Sequence, residues 1–235
     1  MRYMMKKCIS LFLLAALLAV VLFCGGQSLE VPILTEENVE RAYENVLCSA
    51  VRIQGSHCYG SGSIFEINKS DIIIVTNAHM IDSMDENSYV TFFNGAECKG
   101  SIIGSSETTD IGFLRVSCSE LTKKEKKQLK GVGKETTAYE NLKRNDCFFM
   151  VDIASDSENP VKYLGTVVDK EKFLPDYNRE MLYGDGMAVP GMSGSGIFDY
   201  YGNYIGTLSG ATESYELAGV PIDAVLEEYE KCFTH

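Results

Sequence analysis

Three short segments carry side chains suited to nucleophilic acyl transfer: Thr76-Asn77-Ala78-His79, Asp110-Ile111-Gly112-Phe113-Leu114 and Gly191-Met192-Ser193-Gly194-Ser195-Gly196. A serine hydroxyl is a poor nucleophile at neutral pH unless a base takes its proton and separate donors stabilise the oxyanion that forms. His79 is the candidate base, Asp110 the carboxylate that fixes its tautomer, and Ser193 the nucleophile. Gly191 and Gly194 tolerate positive φ and close approach. A tight turn through Gly191, Met192 and Ser193 can therefore aim the backbone N–H groups of Gly191 and Ser193 at one point, as an oxyanion hole. Taken singly, each signal is weak. Gly-x-Ser-Gly is an ordinary turn between strands, a lone histidine more often fills a structural role, and an aspartate in a turn before a strand is common. Their occurrence together reverses those readings, and the chain holds only two other histidines, His57 and His235.

The elements that must position these residues are β-strands. Runs rich in Val, Ile, Phe and Tyr follow one another from Val46 to Ile53, Ser61 to Ile67, Ile72 to Thr76, Tyr89 to Phe93, Gly100 to Ile103 and Ile111 to Val116, most bounded by Gly, Ser, Asn or Asp. A polar, lysine-rich bridge from Ser119 to Asn145 separates them from a second set: Cys147 to Ile153, Val161 to Val168, Met181 to Tyr183, Gly196 to Phe198 and Tyr204 to Leu208. No strand–helix alternation intervenes. The expected architecture is all-β, two packed six-stranded β-barrels over about residues 46–118 and 146–220, within a body of residues 46–235. A helical lead-in is expected within residues 27–45, where Thr35 precedes Glu36 and Glu37 and where Val39, Ala42 and Tyr43 share a face. A short C-terminal helix starts near Pro221-Ile222-Asp223, with Asp223 as its cap and Val225, Leu226 and Tyr229 at helical spacing.

The order His, Asp, Ser separates this chain from subtilisin-like and α/β-hydrolase arrangements, which use the orders Asp-His-Ser and Ser-Asp-His. Gly60-Ser61-Gly62-Ser63-Ile64-Phe65, Ile74-Val75-Thr76-Asn77-Ala78-His79, Thr109-Asp110-Ile111-Gly112-Phe113-Leu114-Arg115-Val116 and Pro190-Gly191-Met192-Ser193-Gly194-Ser195-Gly196 resemble the trypsin-like serine peptidases of the bacterial HtrA type. The resemblance runs from about Val46 to Asp223 and implies a chymotrypsin-like double barrel with its site in the cleft between barrels. It also implies polypeptide substrates and serine endopeptidase activity through an acyl-enzyme. Asp185 falls where that family often has an aspartate and reads as a loop or pocket residue. Met192 stands where Asn or Asp is usual, Ser195-Gly196 replaces the commoner Gly-Gly or Gly-Pro, and the PDZ modules usual in HtrA proteins are absent. Pocket walls are expected from Met187, Val189, Leu208, Ser209 and Gly210. With no acidic residue placed at the pocket floor, cleavage after small or medium apolar residues follows. A catalytically inactive exported binding module on the same fold is the alternative, and a carboxyl-ester hydrolase a lesser one.

Arg2, Lys6 and Lys7 precede an apolar run from Ile9 to Phe23 and then Cys24-Gly25-Gly26-Gln27, the layout of an export signal. Residues 1–26 thus read as a signal peptide cut after Gly26 or as a retained N-terminal membrane anchor, with lipidation of Cys24 ranked last. The expected location is outside the cytoplasmic membrane, secreted or tethered to its outer side. Without Arg2, Lys6 and Lys7, the remaining 18 basic residues face 33 acidic ones, a formal charge of about −15. Such a balance argues against nucleic acid as a partner. The lysines of Lys123-Lys124-Glu125-Lys126-Lys127 read as a solvated helix face. Six cysteines remain beyond the signal, none at metal-ligand spacing, so no metal or cofactor is expected. Bridges between Cys98 and Cys118 and between Cys48 and Cys58 are expected across hairpins, and Cys147 with Cys232 by elimination.

Overall fold

The computed structural model describes residues 36–55, 58–85 and 88–233. The predicted export segment, His57 and His235 lie outside these. The described residues open with α1 (Glu36–Leu47), whose buried Val39, Ala42 and Val46 recur on one face. Seven strands follow: β1 (Ala50–Gln54), β2 (Tyr59–Ile67), β3 (Asp71–Thr76), β4 (Tyr89–Phe92), β5 (Glu97–Lys99), β6 (Ser101–Ser106) and β7 (Ile111–Ser117), with a one-turn helix α2 (Ala78–Ile81) after β3. They form one sheet in the order β5-β4-β1-β2-β3-β7-β6. Its edge strands, β5 and β6, are joined by Gly100 alone, so the sheet must curl strongly into a half-barrel. With β5 and β6 taken as two arms of one strand bent at Gly100, the first half has the six strands expected.

The bridge carries α3 (Lys123–Gln128) and α4 (Thr137–Glu140). In α3, Thr122 and Glu125 form a capping box, and none of its residues is buried, as expected of a solvated lysine face. The second half contains β8 (Cys147–Asp152), β9 (Val161–Leu174), β10 (Arg179–Gly186), β11 (Gly196–Asp199), β12 (Tyr204–Ala211) and β13 (Glu216–Pro221). These close into a barrel in the order β10-β13-β12-β11-β8-β9. The terminal helix α5 (Ile222–Phe233) follows β13 directly. Asp223 lies in its first turn, where its carboxylate accepts from the N–H of Ala224.

Strand β3 shows why a continuous apolar run suits its place. Ile72 and Ile74 belong to the core enclosed by the first barrel, with Val51, Ile53, Phe92 and Leu114. Ile73 and Val75 join a second core with Phe149, Met150, Met192 and Ile197 of the other barrel. Both faces of β3 are thus buried, and alternation with polar residues would be costly. Its neighbour β7 divides likewise: Leu114 and Val116 face the first core, Ile111 and Phe113 the second.

All six cysteines among the described residues carry free thiols, which corrects the expected bridges. The β6–β7 hairpin forms as anticipated, but Cys98 precedes it on β5 and pairs opposite Val90 of β4, away from the hairpin ladder. Cys48 sits at the end of α1, bonded to Asn45 O, while Cys58 Sγ lies against Ser83 O. Burial, aided by Glu120 and Glu125, pushes the Cys98 thiol up to about 11, so it is a poor nucleophile.

Candidate active site

His79 and Asp110 meet because their strands pair. β3 and β7 run antiparallel with Thr76 opposite Gly112, so the residues just past one strand lie beside those just before the other. Beyond Thr76 the chain turns into α2, where Ala78, Met80 and Ile81 are buried and His79 is left facing outward, its side chain half-exposed. Asp110 closes the β6–β7 turn in the left-handed region, φ +55°, and its carboxylate is 14 % exposed. Asp110 Oδ1 lies 2.9 Å from His79 Nδ1 and 3.4 Å from the His79 backbone N. A carboxylate accepts and does not donate, so the proton in that contact belongs to Nδ1 and the Nε2 lone pair is left for a substrate-side partner. The bond to Asp110 raises the His79 pKa above its ordinary value; partial burial opposes the rise and the charges of Asp110 and Asp82 add to it.

Two successive tight turns build the Ser193 loop. Met192 N–H donates to Val189 O at 3.1 Å, and Ser195 N–H donates to Met192 O at 2.9 Å. Each turn has glycine as its third residue, Gly191 at φ +95° and Gly194 at φ +88°, and Pro190 is second in the first, the composition of type II turns. Gly194 N–H donates to Leu208 O. Among the described residues, the N–H groups of Gly191 and Ser193 donate to no protein acceptor, which leaves them for a ligand. Met192, placed in the oxyanion set from the sequence, has a different part: its N–H is spent on Val189 and its side chain is buried, with Sδ accepting from Val189 N–H.

The loop is gripped by the first barrel through Ser61. Ser61 Oγ donates to Gly191 O at 2.9 Å, and Ser61 N–H donates to Ser193 O at 2.8 Å. Thr76 Oγ1, three residues before His79, donates to Ser61 O at 2.8 Å. A Cβ on Gly194 would collide with Ser61 O and Thr76 Oγ1, so only glycine permits this approach.

A cleft of about 420 Å³ borders Ser193, walled by Ala188, Val189, Met192 and Leu208, with Gly210, Thr212 and Glu213 among its other lining residues. Of the residues expected as pocket walls, Val189, Leu208 and Gly210 line this cleft and two others do not. Met187 is exposed just past the end of β10 and does not border the cleft. Ser209 turns inward at a bulge between Leu208 and Gly210 and meets Asn77. Asp185 is an exposed residue within β10, opposite Glu216, and is no part of the cleft. Thr212 and Glu213 were missed because they belong to the turn after β12, and the β13 that follows was not foreseen. Ser61 was visible only as part of a matching motif, since its partners on the serine loop, Gly191 and Ser193, lie more than a hundred residues away.

A family model described as "Trypsin-like peptidase domain" matches residues 60–206, more than half of the chain. A protein named "Serine protease HtrA-like", from Staphylococcus aureus, is 25 % identical over 166 residues; these are 64 % of this chain and only 20 % of that protein's length. The crystal structure of Deg5 superposes with a TM-score of 0.69 at 20 % identity, over 85 % of this chain and 96 % of that one. An HtrA-type protease, AlgW, solved with a tripeptide, gives a TM-score of 0.71 at 17 % identity, over 84 % of this chain and 64 % of that one. These likenesses carry the fold, the family match carries kinship across both barrels, and the chain belongs to the trypsin-like peptidase domain family.

Proposed function

We propose that this protein is an exported serine endopeptidase that uses Ser193, His79 and Asp110. The observation that carries the reading is the His79 Nδ1–Asp110 Oδ1 contact of 2.9 Å, on a cleft where the Gly191 and Ser193 N–H groups are uncommitted. Ser193 Oγ attacks the scissile carbonyl carbon as its proton passes to His79 Nε2. The resulting oxyanion accepts from the N–H groups of Gly191 and Ser193. The tetrahedral species collapses as His79 returns the proton to the leaving amine, leaving an acyl-Ser193 ester. A water, deprotonated by His79, then hydrolyses the ester and frees the serine. Among the described residues Ser193 Oγ has no hydrogen-bond partner, so this mechanism requires its bond to His79 to close when substrate seats, as such bonds commonly do.

The apolar cleft wall supports small or medium apolar side chains at the position before the cut. Export rests on the basic start and apolar run of residues 1–26. Labelling of the purified protein with a fluorophosphonate probe tests the chemistry. Wild type should be labelled, and Ser193→Ala and His79→Ala should abolish it while leaving the folded circular dichroism spectrum. A folded wild type that resists the probe would return the chain to the reading of a non-catalytic binding module.

A further inference from the structure

Asn77 is fully buried two residues before His79, yet it takes no part in the chemistry above. Its Nδ2 donates to the backbone carbonyl of Asp110 at 3.0 Å and to Ser209 Oγ at 3.4 Å. Its Oδ1 is buried with no hydrogen-bond partner, the one such side-chain atom among the described residues. Turning the amide over does not cure this. The turned amide would set one carbonyl against another at Asp110 and strand the NH₂ group instead. Either way one end goes unpaired, whereas a leucine of similar shape would remove the stranded oxygen and give up the bonds to the Asp110 carbonyl and Ser209 Oγ. An asparagine here carries one unpaired buried oxygen, and local cost of this kind is characteristic of functional positions.

The two bonds it does make identify what the amide is for. Asp110 holds a left-handed backbone conformation that non-glycine residues adopt reluctantly, and its carbonyl is the atom Asn77 grips. With that peptide plane fixed, the carboxylate stays directed at His79. The other bond crosses from the first barrel to the second. Ser209 sits between Leu208 and Gly210, both of which line the cleft, so the same amide ties the Asp110 turn to the strand that walls the substrate site. The Asp110 turn has a further tie of its own, since Thr109 Oγ1 bonds Glu228 of α5 at 2.6 Å.

We propose that Asn77 is a positioning residue: its amide holds Asp110 in the left-handed conformation and joins that turn to Ser209, so that Asp110 Oδ1 faces His79 Nδ1 before substrate arrives. The proposal rests on the triad reading, and its test separates the two. Asn77→Leu keeps the shape and removes both the donor and the unpaired oxygen. It should stay folded, the relief of the unpaired oxygen offsetting the lost bonds in part, and lose roughly 10- to 100-fold in kcat, with KM little changed. The acid limb of its kcat/KM profile should move to lower pH, because an imidazole less firmly bonded to Asp110 loses its proton more readily. The same change should be visible by NMR titration of His79, which needs no turnover. Wild-type kcat together with an unmoved His79 titration in Asn77→Leu would overturn the proposal. Failure of Asn77→Leu to fold would overturn it too, by showing that the amide is kept for stability. If wild type itself is not labelled by the fluorophosphonate, the triad reading fails, while the His79 titration still decides whether Asn77 sets the Asp110 contact.

Discussion

At His79 the requirements of catalysis and of stability pull in opposite directions. The hydrogen bond to Asp110 is the main cause of its raised pKa, against the effect of partial burial. A general base must be unprotonated, so kcat/KM should rise with pH to a half-maximum above the ordinary histidine value of about 6.5. The linked stability runs the other way. A group whose pKa is raised on folding contributes stability below its unfolded pKa and loses it as pH climbs through the folded one. On the proposed mechanism the protein thus gives up that contribution in the range where His79 becomes a competent base. Asp110→Asn should shift the acid limb down and reduce kcat by roughly 10,000-fold, because the amide lets the imidazole take the wrong tautomer. A profile unchanged in Asp110→Asn would remove Asp110 from its assigned part. Gly194→Ala is expected to be as damaging, through sterics alone: the new methyl meets Ser61 O and Thr76 Oγ1 at φ +88°. It should abolish fluorophosphonate labelling, and full labelling would show that the loop can shift without loss.

The element that most depends on others is α5. It continues from β13 of the second barrel, yet Tyr229 stacks among aromatics of the first, 4.9 Å from the ring of Phe65 and 5.5 Å from that of Phe113. Lys134, from the bridge between barrels, lies 4.5 Å over the Tyr229 ring and pairs with Glu66, which also accepts from the Tyr229 hydroxyl. The helix therefore clamps both barrels and, through Glu228, the turn that carries Asp110. Tyr229→Ala should cost about 2 kcal/mol, less than a fully buried aromatic would because the ring is partly exposed. Chemical denaturation would measure it, and a loss within a few tenths would mean that the clamp is incidental. Much at this scale could be read from the chain: β-branched runs between turn residues marked most strands, and Glu36 and Glu37 marked the first helix. Other strands were hidden for physical reasons. β5 is three residues with charge at both ends; Leu217-Ala218-Gly219 in β13 lacks β-branched side chains. β9 runs on to Leu174 through Asp169-Lys170-Glu171-Lys172, a charged stretch that reads as a loop but has one face in solvent. The meeting of His79 and Asp110 was legible because each lies beside a strand end, whereas Asn77, Ser61 and Glu228 act on partners 33 to 132 residues away that no local pattern reveals.

At the scale of the molecule, the two barrels place the candidate cleft on a body with a formal charge of about −15 beyond residues 1–26. Fields of that sign draw cationic peptides toward the surface and turn anionic ones away, and salt weakens both effects. Glu213 brings the same sign to the cleft itself: it is the charged residue among those lining it, beside walls of Ala188, Val189, Met192 and Leu208. An acidic side chain before the scissile bond would meet that carboxylate over an apolar floor, so substrates with Asp or Glu there should be the slowest in a peptide library. Glu213→Gln should raise kcat/KM for such acidic peptides several-fold while leaving apolar ones alone, because only the charged pair feels the change. Salt separates the local from the global contribution. Raising ionic strength should slow cleavage of peptides with basic flanks in wild type and Glu213→Gln alike, since the long-range field survives the substitution. Acidic peptides cleaved as fast as apolar ones by wild type would mean that Glu213 is too solvated to select, leaving discrimination to the shape of the apolar wall.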